Sequence, residues 1–240
     1  MIKAVFLDID GTVLDFDAFV RACMRAGFER FGLPPYEEGM FVVFKQVNNR
    51  LWWQIERGEI LREQLIDLRW QAVFERLGIR ADGRAFEIYF RNALLGSAIP
   101  VPGAGKLLPW LAERYTVCAA SNGPFAQQRS RLELAGYLPY FQHLFISEEI
   151  GAQKPSPVFF EKSMARLNAG RAQAVRPDEI LMVGDSLTSD MAGGIGCGMK
   201  TCFLNPCGRP VPADLPVDFV IGQLSELKTI LEKEDGHAQP

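Results

Sequence analysis

Four places in the sequence put chemically capable side chains after short apolar runs, three of them directly and the fourth beyond a short loop. Asp8-Ile9-Asp10-Gly11-Thr12 follows Lys3-Ala4-Val5-Phe6-Leu7, and residues two apart in extended chain point to the same side, so two carboxylates converge. Ala119-Ala120 runs into Ser121-Asn122-Gly123, a hydroxyl, an amide and a glycine suited to bonding anionic oxygens where backbone N–H groups are free. Gln153-Lys154-Pro155 supplies a cation, and Val183-Gly184-Asp185 a third acid, with Asp190 five residues on. Each has a plain reading when taken singly: a helix N-cap for an aspartate, an ordinary Ser-Asn-Gly turn, a solvated lysine. An N-cap accounts for one acid of a pair and not for both. Together, acids, neutral donors and a cation at four strand ends form a constellation for phosphate and a divalent metal. Crowded carboxylates repel unless a hard cation neutralises them, and Mg²⁺ takes a few carboxylates together with substrate phosphate and water.

To share one crevice, these segments need parallel strands whose carboxyl ends lie together. Apolar runs at 3–7, 116–120, 144–147, 180–184, 201–204 and 219–221 predict strands, with helices between most of them. That alternation predicts an α/β fold: a doubly wound parallel sheet, Rossmann-like, with right-handed crossovers and ligands at the carboxyl ends of its strands. After Thr12 the apolar period changes to three-to-four. Phe19, Val20, Cys23, Gly27, Phe28 and Phe31 form one such series; Phe41, Phe44, Leu51 and Ile55 a second; Leu61, Leu65, Leu68 and Ala72 a third; Phe86, Phe90 and Leu94 a fourth. They predict an inserted all-helical cap over 16–98, closed by Pro100-Val101-Pro102-Gly103, within a core made of 1–15 and 99–231. Residues 232–240 read as a flexible tail. A length of 240 residues suits one core plus an insertion.

The motifs Asp8 through Thr12, Ser121, Lys154, and Gly184-Asp185 with Asp190 resemble those of the haloacid dehalogenase-like hydrolase superfamily over nearly the whole chain. The insertion between the first and second motifs is similar to the type-one cap of one subfamily. Asn48-Asn49-Arg50-Leu51-Trp52-Trp53, Gly58-Glu59-Ile60, Ile146-Ser147-Glu148-Glu149 and the stretch 184–194 are similar to the branch of pyrimidine 5′-nucleotidases. The resemblance implies a Mg²⁺-dependent phosphomonoesterase, with a small phosphate monoester, a nucleotide by the closer likeness, as its substrate. It implies Asp8 as the nucleophile that forms an aspartyl-phosphate and Asp10 as the acid and then the base. Lys154, Ser121, Asn122, Gly123 and Thr12 would hold phosphate. Metal would be held by Asp8, Asp185 and the Asp10 backbone carbonyl, with Asp190 orienting the site from outside the ligand set. A phosphoglycolate or sugar-phosphate phosphatase or phosphomutase shares all these motifs, so the cap decides between them. Dehalogenation has no alkoxide to protonate and leaves Asp10 without a task. A non-catalytic binding or regulatory protein, the reading from a different class, leaves four filled motifs unexplained.

Composition narrows the partners. Apolar residues make up 48% and charged residues 23%, in the range of globular proteins. With 26 Lys and Arg against 29 Asp and Glu the net charge is −3, which draws no nucleic acid. No run reaches the ~18 apolar residues of a membrane span, and two aspartates by position 10 interrupt any signal stretch. Five cysteines, an odd number without a CxxC pair, argue against a disulfide framework, so the expected location is cytoplasmic. Cys197, Cys202 and Cys207 recur at a fixed interval, but a zinc site would need a fourth ligand and the chain has only His143 and His237. Gly103-Ala104-Gly105-Lys106 lacks the spacing and hydroxyl of a P-loop and predicts a helix start. Gly194-Ile195-Gly196-Cys197-Gly198 follows a helix rather than opening one, which favours close packing over dinucleotide binding.

Overall fold

Every side chain of the first strand, β1 (Ala4–Leu7), is buried. Val5 and Leu7 enter one hydrophobic cluster while Ala4 and Phe6 enter another, because consecutive strand residues face opposite sides and both sides are covered. The remaining strands are β2 (Thr116–Ser121), β3 (His143–Ile146), β4 (Ile180–Gly184), β5 (Lys200–Leu204) and β6 (Phe219–Ile221). They pair only in parallel, in the order β3-β2-β1-β4-β5-β6. This is the doubly wound α/β sheet that the alternation of runs predicts. The chain adds strands on one side of β1, then crosses to β4 on the other, so the switch point lies between β1 and β4. Ligands of open α/β sheets bind outside the carboxyl ends at such a point. The structure, a computed structural model, describes residues 1–236.

By internal contacts the chain divides into two compact units, Met1–Asp15 with Ala98–Pro240, and Phe16–Ser97. The second unit is helical: α1 (Phe16–Arg30), α2 (Glu38–Glu56), α3 (Leu65–Leu77) and α4 (Gly83–Leu95). Its core is aromatic, with Phe28, Phe44, Trp70, Phe74, Phe86 and Phe90 all fully buried. The Trp70 and Phe86 rings lie 4.3 Å apart between centroids. The buried face of α3 differs from the periodic reading. Leu65 is buried as read, but Leu61 and Leu68 are exposed, and Arg69, Trp70, Val73 and Phe74 face inward instead. Burial of Arg69 is possible because Glu87 of α4 accepts from its Nη2 at 2.6 Å and its Nε at 3.0 Å, while Asn48 Oδ1 accepts from its Nη1 at 3.1 Å. Asn48 is thus committed to the interior of its own unit.

In the first unit, α5 (Ala104–Ala112) starts after Gly103 at φ 91°, the helix start read from its sequence. Then come α6 (Phe125–Leu134), α7 (Ser147–Ile150), α8 (Pro157–Asn168), α9 (Ala192–Gly196) and α10 (Glu226–Gly236). Leu107, Leu111, Leu132, Leu227 and Leu231 cover one face of the sheet, and Phe159, Phe160 and Leu167 the other. Gly194 packs as its motif suggests, since a Cβ there would meet Thr201 Cγ2 at 3.0 Å and Met182 Cβ at 3.1 Å. The tail read from Glu232 is a correction: α10 continues to Gly236, carried by Leu227 and Leu231 packing on the sheet, and only residues 237–240 lie outside the described residues. No helix among the described residues is long and apolar enough to cross a membrane.

Candidate active site

Asp8 leaves the end of β1, and its N–H bonds Val183 C=O of β4 at 2.9 Å, which ties it to the switch point. Asp185 follows the last residue of β4. Carboxylate oxygens of Asp8, Asp185 and Asp190 all lie within 4.8 Å of one another. Gly11, at φ 84°, makes room for this group, because a Cβ there would lie 2.7 Å from Asp185 Oδ2. Hard oxygen donors packed at such spacing fit a divalent cation like Mg²⁺. Arg209, in the loop after β5, donates from Nη2 to the Asp185 backbone C=O at 2.6 Å, and Asn205 grips the Arg209 backbone at 2.8 and 2.9 Å.

Lys154 is fully buried, and its ammonium meets three acceptors: Asp8 Oδ1 at 2.7 Å, Asp190 Oδ1 at 2.6 Å and Ala120 C=O at 2.6 Å. Burial opposes its charge, but Asp190 and Asp8 outweigh that and raise its pKa above the usual lysine range. For Asp8 the balance runs the other way. Burial pushes its carboxyl well above the ordinary range; Lys154 opposes this, and the charges of Asp190 and Asp185 add to it. A charge-bearing partner among the three acids would relieve that strain. Asp190 holds Lys154 with one oxygen and the Ser186 N–H, at 3.1 Å, with the other.

Asn122 works differently from the reading that gave its side chain to phosphate. Its Oδ1 accepts from Lys154 N–H at 2.8 Å and its Nδ2 donates to Lys154 C=O at 2.9 Å, so the amide splints the lysine loop. Ser121 Oγ accepts from the Gly123 N–H at 3.1 Å and from Gln128 Nε2 at 2.8 Å. With both lone pairs engaged, its hydroxyl hydrogen is the capacity left, suited to an anionic oxygen. Thr12 is wholly buried and its Oγ1 pairs with no protein group, Asp8 included.

Asp10 is not among the three clustered acids, and its carboxylate is held from α6. Its Oδ1 accepts from Arg131 Nη1 at 2.5 Å and its Oδ2 from Gln128 Nε2 at 2.6 Å. Both partners sit on α6, three residues apart and therefore on one face, and both are buried. Sequence reasoning missed them, because polar residues on a short helix read as its solvent face. Glu148, within a segment singled out in the sequence, accepts from the Phe125 N–H at 2.8 Å and anchors the start of α6.

An acid pair two residues apart, a buried lysine and a third acid stand together at the switch point of a doubly wound sheet. Residues 2–198 match the haloacid dehalogenase-like hydrolase family, and the chain belongs to it. The chain is similar to the pyrimidine 5′-nucleotidase YjjG of Escherichia coli, 33% identical over 95% of this chain and 97% of that one. It is also similar to the pyrimidine 5′-nucleotidase PynA of Streptococcus pneumoniae, 33% identical over 85% and 84% of the two chains. The fold is similar to the HAD-hydrolase YfnB of Bacillus subtilis in a magnesium-bound crystal form, with a TM-score of 0.86 and 31% identity over 96% and 98% of the chains.

Proposed function

We propose that this chain is a Mg²⁺-dependent phosphomonoesterase that works through an aspartyl-phosphate on Asp8, with nucleoside 5′-monophosphates as its substrate class. The observation that carries the reading is the buried Lys154 ammonium, 2.7 Å from Asp8 Oδ1 and 2.6 Å from Asp190 Oδ1, beside three carboxylates within 4.8 Å. Mg²⁺ held by Asp8, Asp185 and the Asp10 backbone carbonyl would neutralise the acids and draw a phosphate dianion against them.

A carboxylate oxygen of Asp8 attacks phosphorus in line, and the bond from phosphorus to the leaving oxygen breaks with its electron pair on that oxygen. Asp10 gives that oxygen its proton, releasing an alcohol. Water then attacks the phosphorus and passes a proton to Asp10, the bond to Asp8 breaks, and phosphate leaves with Asp8 ionised and Asp10 protonated as at the start. The Ser121 hydroxyl holds an equatorial oxygen as charge shifts during transfer, and Lys154, whose three protons rest on Asp8, Asp190 and Ala120 C=O, reaches another by exchanging its bond to Asp8 for one to phosphate. Thr12 Oγ1, buried without a protein partner, is a further donor for this oxyanion. Asp190 orients Lys154.

These core groups are spent on phosphate and do not read the alcohol. The likeness to YjjG and PynA favours a pyrimidine nucleotide. A panel of nucleoside monophosphates, sugar phosphates and phosphoglycolate, assayed with Mg²⁺ and again with EDTA, tests the reading. We expect nucleotides to be preferred and EDTA to abolish turnover. Preference for a sugar phosphate would move the substrate to the rival branch, and turnover in EDTA would overturn the metal assignment.

A further inference from the structure

We infer that Arg131 and Gln128 are positioning residues for Asp10, holding its carboxylate for proton transfer to the leaving oxygen. The inference rests on the phosphomonoesterase reading and adds two groups to it. Asp10 lies in a turn after β1. The hold comes from α6. Arg131 Nη1 grips Oδ1 and Gln128 Nε2 grips Oδ2, one donor per oxygen, so the plane of the carboxylate is set. The two donors hold each other as well, with Arg131 Nη1 donating to Gln128 Oε1 at 3.0 Å. Arginine has only donors, so the Gln128 oxygen must face it and the amide nitrogen must face Asp10 and Ser121. That nitrogen serves two functional side chains at once, Asp10 at 2.6 Å and Ser121 at 2.8 Å. Position 123 must be glycine for this to fit, since a Cβ there would lie 2.4 Å from Gln128 Nε2. A buried guanidinium and a buried amide aimed at one carboxylate are an expensive arrangement for mere packing.

The test uses leaving groups. An alkyl oxygen needs a proton to depart, whereas p-nitrophenolate leaves without one. Single-turnover rates of alcohol release are measured for a nucleoside 5′-monophosphate and for p-nitrophenyl phosphate in the parent, Arg131→Met, Arg131→Lys, Gln128→Leu, Asp10→Asn and the Arg131→Met/Asp10→Asn double variant. We expect Arg131→Met to slow the nucleotide roughly 10²-fold, the usual size of a general-acid contribution, with little effect on p-nitrophenyl phosphate. Arg131→Lys should recover part of the loss. The double variant should show the same ratio of rates between the two esters as Asp10→Asn alone, because Arg131 acts through Asp10. Equal losses on both esters, or a further change in that ratio in the double variant, would overturn the inference. If Arg131→Met melts out, Gln128→Leu and Arg131→Lys carry the same test. Failure of the parent to turn over either ester would instead overturn the underlying reading.

Discussion

Gly184 and Asp190 depend on each other through an absent side chain: a Cβ on Gly184 would lie 2.1 Å from Asp190 Oδ2. Asp190 is itself buried and occupied by Lys154 and the Ser186 N–H, so it has no rotamer into which it can retreat cheaply. Gly184→Ala should therefore release one of the acids that hold Lys154. We expect a loss of at least 1–3 kcal/mol in stability, the usual cost of overpacking, together with a kcat that falls far more than KM rises. Equilibrium denaturation and steady-state kinetics on the same preparation check this.

Lys154→Met removes the charge while keeping most of the volume. Two buried carboxylates, Asp8 and Asp190, then lose their cation, a change that costs about 3–5 kcal/mol when one partner of a buried pair is deleted. The melting temperature should fall in metal-free buffer. Added Mg²⁺ should narrow the gap to the parent, since a cation among the three acids replaces the lost charge. A variant as stable as the parent without metal would show that the clamp contributes little.

The strands, their parallel pairing and the four motif segments were legible because buried parallel strands are apolar runs with polar breaks beyond them. Asp8, Ser121 and Asp185 sit at such breaks, and Lys154 lies further on, after β3 and α7. What escaped was polar burial. Arg69 and Glu87 compensate each other inside the helical unit, and Arg131 and Gln128 do so beside Asp10; a single sequence marks all four as surface residues. The same effect turned α3, because an inward-facing Arg69 rotates Leu68 outward. Asn122 was assigned by type, and only the distances to Lys154 reveal that its amide is already used.

Trp52 and Trp53 separate in the structure. Trp52 packs against the aromatic cluster of its unit, whereas Trp53 is 47% exposed with Arg57 over its ring. Trp53→Ala should raise KM for a pyrimidine monophosphate, roughly 5- to 160-fold if the ring stacks on the base at ~1–3 kcal/mol, and spare p-nitrophenyl phosphate. Trp52→Ala should lower the melting temperature and affect both substrates alike. An unchanged KM in Trp53→Ala would remove that residue from base recognition.

His143, on β3, gives a pH dependence of stability. Burial, with some help from Arg171, lowers its pKa below the ordinary range. The unfolded chain then takes up a proton at higher pH than the folded one, so stability is complete above about pH 6.5, the unperturbed value, and falls as pH drops toward the folded value. His143→Gln should flatten the melting temperature over that window. An identical slope in parent and variant would assign the acid sensitivity to other groups.

The covalent step leaves a mass on one residue. The enzyme is mixed with excess nucleoside monophosphate and Mg²⁺, quenched in acid within a turnover, digested and analysed by mass spectrometry. One phosphate is expected on the peptide carrying Asp8, located on that side chain, and none in Asp8→Asn. Full turnover with Asp8 unmodified throughout would contradict the covalent step.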